Sequence, residues 1–172
     1  GISSSFLDLV FLDLIFYHRA ADPLGQEIIV AQFVDDGTRK RLLWVIPNRQ
    51  SLTMQKVIYV WISTIGKMKA LPSDLEKGII AEDTQVWLEG KNIKFKPIVG
   101  GPAGRHTEAG VLDSYARSSR RVLHRIDSAA DALGVPMSDE DLVGEATLCC
   151  NTVVEGGGVT PDQAATGNLG ED

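Results

Sequence analysis

Apolar residues crowd Phe6 to Tyr17, alternating imperfectly with polar ones and rich in Phe, Leu, Val and Ile, a pattern that predicts a buried central strand. Asp22, Pro23 and Gly25 mark the turn that follows, and Glu27 to Val34 reads as a second strand. Asp35-Asp36-Gly37 supplies a residue tolerant of positive φ, so Lys40 to Ile46 becomes the third strand of an antiparallel meander. The period then changes. Met54, Val57, Ile58, Trp61, Ile62 and Ile65 form one apolar stripe of an α-helix that ends near Gly66. A short strand at Ala70 to Pro72 leads into Ser73-Asp74, and a helix is expected over Glu82 to Leu88, stopped by Gly90. Ile93 to Val99 reads as a fifth strand, with Pro97 pointing to an edge or a strand end.

Beyond a flexible loop at Gly100-Gly101-Pro102-Ala103-Gly104, Leu112, Tyr115, Ser119, Val122 and Ile126 mark the buried face of a long helix toward Leu133. Ser138, with Asp141 three residues on, reads as the N-cap of a helix through Leu142, Ala146 and Cys149, ended by Gly156-Gly157-Gly158. Thr160-Pro161 opens a short helical turn closed near Gly167, and residues 168–172 read as a loose tail. Three strands, helix, strand, helix, strand and further helices predict an α/β domain. Its mixed five-stranded sheet combines an antiparallel three-strand meander with two parallel strands, flanked by helices.

Composition narrows the class. With 44% hydrophobic and 23% charged residues in 172, the chain has globular proportions and the length of one domain. No apolar run approaches the roughly 18 residues of a membrane helix, because Asp8 and Asp13 break the greasiest one. Neither a basic leader nor a cleavage site precedes that run, and a start at Gly1 rather than Met suggests a piece of something longer. Cys149 and Cys150 are adjacent, which disfavours a disulfide, and His18, His106 and His124 lie far from them, so zinc-site spacing is absent. Two half-buried thiols in a reducing compartment, and hence an intracellular protein of nucleus or cytoplasm, are expected.

The net charge of −6 argues mildly against nucleic acid, but the charge is divided. Arg and His concentrate between Arg105 and Arg125, whereas the segment from Asp127 onward carries only acids. Arg117, Arg120, Arg121, His124 and Arg125 recur at i, i+3, i+4, i+7 and i+8, a basic stripe along the long helix. Such a stripe could track DNA phosphates or simply be a solvated face.

Three acids carry the candidate chemistry. Asp13 interrupts an apolar strand, Asp74 follows the fourth strand at its C-terminal end, and Asp113 lies near the start of the long helix. If the first and fourth strands are neighbours and that helix crosses their ends, the three carboxylates converge. An all-oxygen cluster suits magnesium or manganese, and two such ions roughly 4 Å apart would serve phosphodiester chemistry. Each acid also has an ordinary reading: an internal ion pair for Asp13, an N-cap for Asp74 and a helix-dipole partner for Asp113. Trp44, Trp61 and Trp87 fit core or interface packing.

Several segments together resemble the integrase catalytic core of long-terminal-repeat retrotransposons and retroviruses, a ribonuclease H-like family. They are Phe11-Leu12-Asp13-Leu14-Ile15-Phe16, Phe33 to Arg39, Val45 to Gln50, Leu71 to Gly78, His106 to Asp113, and Arg120-Arg121-Val122-Leu123. Asn151, Thr160-Pro161 and Gly167 resemble the end of such a core, so the likeness spans residues 1–167. It implies an endonuclease and strand-transfer core in which Asp13 and Asp74 hold one metal ion and Asp13 and Asp113 the other. It also implies DNA and homo-oligomeric partners, with Arg105, Arg117, Arg120, Arg121, His124 and Arg125 on the DNA. The zinc-binding and small-barrel modules that flank such cores are not in this chain. One departure stands out: the family's third ligand is Glu, whereas the matching position holds Asp113, 39 positions after Asp74 (113 − 74). Aspartate retracts the carboxylate by roughly 1.5 Å. Glu108 is near, at a spacing from His106 and Gly110 that does not suit the family. Two alternatives follow: a decayed or repurposed core that binds DNA or protein, and a nuclease acting on RNA–DNA hybrids.

Overall fold

The computed structural model describes residues 4–74, 76–99, 107–153 and 158–167. Strands β1 (Val10–Tyr17), β2 (Ile28–Asp35) and β3 (Arg41–Ile46) form the expected meander. Helix α1 (Ser51–Thr64), strand β4 (Ala70–Asp74), helices α2 (Lys77–Ile80) and α3 (Glu82–Gly90), and strand β5 (Lys94–Ile98) follow. The chain continues through α4 (Glu108–Ala132), α5 (Asp139–Thr152) and α6 (Pro161–Thr166). The sheet order is β3-β2-β1-β4-β5, antiparallel across β1–β2–β3 and parallel across β1–β4–β5. Pro97 accordingly lies in an edge strand, where a missing N–H costs nothing.

Alternation along β1 assigns its residues to two layers. Val10 and Leu12 pack with Phe33, Met54, Ile58 and Trp61 beneath α1, where Trp61 stacks on Phe33 at 5.8 Å between ring centroids. Ile15 and Tyr17 pack with Leu43, Leu123, Leu142 and Ala146 beneath α4 and α5, and Phe11 joins Leu112 and Tyr115. Asp13 shares this second face. The α1 stripe matches expectation, with Met54, Val57, Ile58 and Trp61 buried. On α4 the buried line is Leu112, Tyr115, Ser119, Leu123, Asp127 and Ala130, while Val122 and Ile126 are only half-buried.

Local chemistry sets several boundaries. The apolar stretch at Phe6 forms a turn, not strand: Asp8 N donates to Ser5 O at 3.1 Å, Ser5 N donates to Asp8 Oδ2 at 2.9 Å, and Leu7 has φ 69°. In the β2–β3 hairpin Arg39, not Gly37, takes the positive φ, at 66°. The Asp35 carboxylate organises that turn by accepting from Thr38 N, Thr38 Oγ1 and Leu7 N at 2.7–2.9 Å. Gly37 is needed for a different reason, because a Cβ there would collide with the Ser4–Ser5 backbone. Helix α2, which periodicity did not reveal, packs its Gly78 against the Arg49 carbonyl where a Cβ would not fit. Ser138 caps α5 by accepting from Asp141 N, and α6 has Pro161 at its start, a Thr160–Gln163 capping box and Gly167 at φ 72°. The loop at 100–106, the triple glycine's first members and the tail at 168–172 lie outside the described residues.

A buried polar lock fixes the end of β1 to the helical layer. Asp127, 2% exposed, accepts from Tyr17 Oη and Ala20 N at 2.7 Å each and from Arg19 Nε at 3.1 Å. Arg19 also reaches Asp139 Oδ1 at 2.7 Å and Met137 O at 2.8 Å. Burial alone would raise the Asp127 pKa, but the hydrogen bonds from Ala20 and Tyr17 and the Arg19 charge outweigh it and hold it below the usual carboxylate range. Cys149 and Cys150 are half-buried thiols. Among the described residues no helix is long and apolar enough to cross a membrane.

Candidate active site

Asp13 and Asp74 are brought together by strand register. Leu12 pairs with Ser73 in the parallel β1–β4 ladder, so the next residues along, Asp13 and Asp74, lie side by side on the α4 face of the sheet. Asp13 is half-buried in the middle of β1 and Asp74 ends β4, exposed. Burial, first, and then the charge of Asp74 push the Asp13 pKa up to about 7, with a smaller push from Asp113. The Leu14 N–H, donating at 2.9 Å, and the Arg120 charge oppose that shift without cancelling it. Partial burial of its carboxyl raises Asp74 as well.

Asp113 lies in the second turn of α4, and its charge reaches Asp13. Its carboxylate is turned to Arg117, whose Nη2 donates to Asp113 Oδ2 at 2.7 Å. Among the described residues no three His, Cys, Asp or Glu side chains stand close enough to hold a metal ion. The three acids thus share one electrostatic field without forming a closed ligand set. An oxygen-only pair whose charges repel fits a hard divalent cation at Asp13 and Asp74. Arg117 competes with any metal ion for Asp113 Oδ2. Glu108 faces Lys96 at 4.0 Å instead.

The basic stripe divides by partner. Arg117 serves Asp113, and Arg120 is pinned to β1 by an Nη1 bond to Phe16 O at 2.7 Å. His124 Nδ1 lies 3.4 Å from Ser128 Oγ. Arg121 and Arg125 are exposed and form no ion pair among the described residues. Arg105 and His106 lie outside the described residues. Sequence reasoning missed a buried polar layer beside Asp13. Gln32, its cross-strand partner, receives the Ser119 hydroxyl, and Ser119 in turn accepts from Arg41 Nη1 at 2.7 Å. Its signals were Ser119 on the expected buried face of the long helix and the basic run Arg39-Lys40-Arg41 beside the hairpin turn.

The sheet order, the mixed strand directions and the helices on both faces define a ribonuclease H-like fold, that of the retroviral integrase catalytic cores. Three solved structures are similar along nearly all of this chain. The HTLV-2 integrase catalytic core domain in complex with magnesium, in its dimeric form, superposes with a TM-score of 0.74 at 14% identity, over 95% of this chain and 98% of that one. The BIV integrase catalytic core domain gives 0.73 at 18% identity, over 94% and 95%. A chain of the simian T-cell lymphotropic virus intasome in complex with PP2A regulatory subunit B56 gamma gives 0.76 at 13%, over 94% of this chain and 55% of that one. No protein-family model matches the chain, and no curated protein matches it in sequence. At these identities the likeness is one of fold.

Proposed function

We propose that the chain is a metal-dependent DNA endonuclease and strand-transfer core of the integrase type. The observation that carries this reading is the juxtaposition of Asp13 and Asp74 on adjacent parallel strands, in a fold similar to that of integrase cores. Asp13 and Asp74 would hold a first magnesium or manganese ion, and Asp113, released from Arg117, would help hold a second with Asp13. Bound there, the ions supply activation of an oxygen nucleophile and stabilisation of the leaving oxygen in phosphodiester exchange. The protein's own part is placement. β1 and β4 fix two carboxylates on a rigid sheet, Arg120 ties α4 to the carbonyl of Phe16, and Arg121, His124 and Arg125 present donors to a DNA backbone along α4. Arg117 would exchange its partner Asp113 for a phosphate. Homo-oligomerisation and an intracellular location, nucleus or cytoplasm, belong to the same reading; the HTLV-2 core is described in dimeric and trimeric forms.

A second reading is favoured by the Asp113–Arg117 pair and the absence of a closed ligand set among the described residues. In it the domain keeps the fold and binds DNA or protein without catalysis. Incubation of the chain with a labelled DNA duplex in manganese, beside Asp13→Asn and Asp74→Asn, separates the two. Metal-dependent nicking or joining that both variants lose supports the enzyme. DNA retention without nicking by parent or variants supports the binding module, and cleavage confined to an RNA–DNA hybrid redirects the substrate.

A further inference from the structure

Arg41, the first residue of β3, is 5% exposed, and no carboxylate among the described residues pairs with it. Its Nη1 donates to Ser119 Oγ at 2.7 Å and, more weakly, to Tyr115 O at 3.4 Å, with Cys150 Sγ at 3.9 Å. Its Nε has no hydrogen-bond partner among the described residues. A buried guanidinium left in this state is unfavourable unless something supplies negative charge. The same side chain lines an open cavity of about 320 Å³ between the β2–β3 hairpin and the first turns of α4.

The rest of that wall has matching chemistry. Arg39 is a second guanidinium, and both pack over the Tyr115 ring, with Arg39 Cζ 5.4 Å and Arg41 Cζ 5.7 Å from its centroid. Arg39 shares its charge with Asp36, whose carboxylate is already engaged by Arg39, the Tyr115 hydroxyl and the Ser4 hydroxyl. Ser114 and Ser118, one turn apart on α4, add two exposed hydroxyls. They follow Asp113 and Arg117 by one position each, about 100° further round the helix, so the cavity is separate from the carboxylate site.

We propose that this cavity is a phosphate-binding site, with Arg41 and Arg39 holding the oxyanion and Ser114 and Ser118 completing its shell. Guanidinium forks match phosphate oxygens two at a time, and hydroxyls donate to those that remain. The volume is at the small end for ligand pockets, enough for a phosphate with a short ester and little more. The group can come from inorganic phosphate or a terminal phosphomonoester, or from the diester backbone of a nucleic acid. Binding here stands or falls without the metal reading, because it needs no catalysis.

Thermal unfolding of the chain in phosphate against chloride at matched ionic strength, with a chelator present, tests the site. Parallel arms use a dinucleotide bearing a 5′ phosphate and one with only its internal diester. Phosphate is expected to raise the midpoint in a saturable way. Arg39→Gln should weaken that response at least tenfold. Ser118→Asp, at an exposed position that folding tolerates, should raise the midpoint alone and abolish the response. Lys67→Gln, on the far side of the sheet, should respond like the parent. A response to both dinucleotides assigns the site to a nucleic-acid backbone, and one confined to inorganic phosphate and the 5′-phosphorylated arm assigns it to monoesters. No midpoint rise at tens of millimolar phosphate, or an equal rise in Ser118→Asp and the parent, overturns the proposal.

Discussion

Replacing Asp13 by Asn should make the metal-free protein more stable at neutral and alkaline pH. Burial and the neighbouring Asp74 and Asp113 raise the Asp13 pKa to about 7, well above its value of 3.8 when unhindered. A group with a raised folded pKa takes up a proton on folding, so its contribution is most favourable below pH 4 and is lost as pH rises from about 4 to about 7. A shift of this size corresponds to at most about 4 kcal/mol, at roughly 1.4 kcal/mol for each pH unit. Asn keeps the shape, and its Oδ1 can still accept from Leu14 N, but its buried amide group costs about 1 kcal/mol. The net expectation is a gain of about 2–3 kcal/mol at pH 8 that vanishes near pH 4, or roughly 5–10 °C in midpoint for a domain of this size. Urea unfolding of parent and variant between pH 4 and 9 measures it directly. An Asn variant less stable than the parent at pH 8, or a difference that does not change with pH, would refute the account of Asp13 as a buried acid held ionised against its surroundings.

Other consequences are equally specific. Asp127→Ala should cost about 3–5 kcal/mol in chemical denaturation, because Arg19 is left partly buried with its main partner gone. The lowered pKa of Asp127 contributes stability above about pH 4 that fades as pH falls through its folded pKa, so the gap between parent and variant should narrow in acid. Trp61→Ala should cost about 3–5 kcal/mol, since the indole is fully buried and stacked on Phe33. Arg117→Gln should leave stability within about 0.5 kcal/mol, as the pair with Asp113 is exposed. The same variant should tighten manganese binding in calorimetry by freeing Asp113, and weaker binding would argue against Asp113 as a ligand.

Much of the frame is legible in the residues themselves. Asp13 is conspicuous because one acid breaks an apolar strand, and the caps at Ser138 and Thr160 announce themselves by residue type and spacing. Long-range partners are not legible in this way. Asp127 reads as one acid in an acidic C-terminal half, yet it is buried under Tyr17 and Arg19, more than a hundred residues away in sequence. Gln32 and Arg41 are polar residues in strand segments, and nothing local in the sequence announces that both are buried against Ser119 of α4. Leu7 imitates a strand residue because apolarity cannot separate a strand from a turn packed on the core; the Asp8–Ser5 bonds decide it. The convergence of Asp13 and Asp74 needed the β1–β4 pairing, which sequence could only suppose. The i, i+4 spacing of Asp113 and Arg117 suits an ion pair, which the reading of Asp113 as a ligand or a helix-dipole partner did not include, and its competition with metal binding shows only when the other acids are placed.

Asp13 and Asp74 are proposed to form a divalent-metal site, with Asp113 turned toward Arg117 beside them. Thermal unfolding across a manganese and magnesium titration at pH 8, on the parent and on Asp74→Asn, tests it most directly. The midpoint is expected to climb with metal in the parent, by mass action on the folded state, and barely to move in Asp74→Asn. A parent midpoint indifferent to millimolar metal, or an equal climb in both proteins, would contradict it.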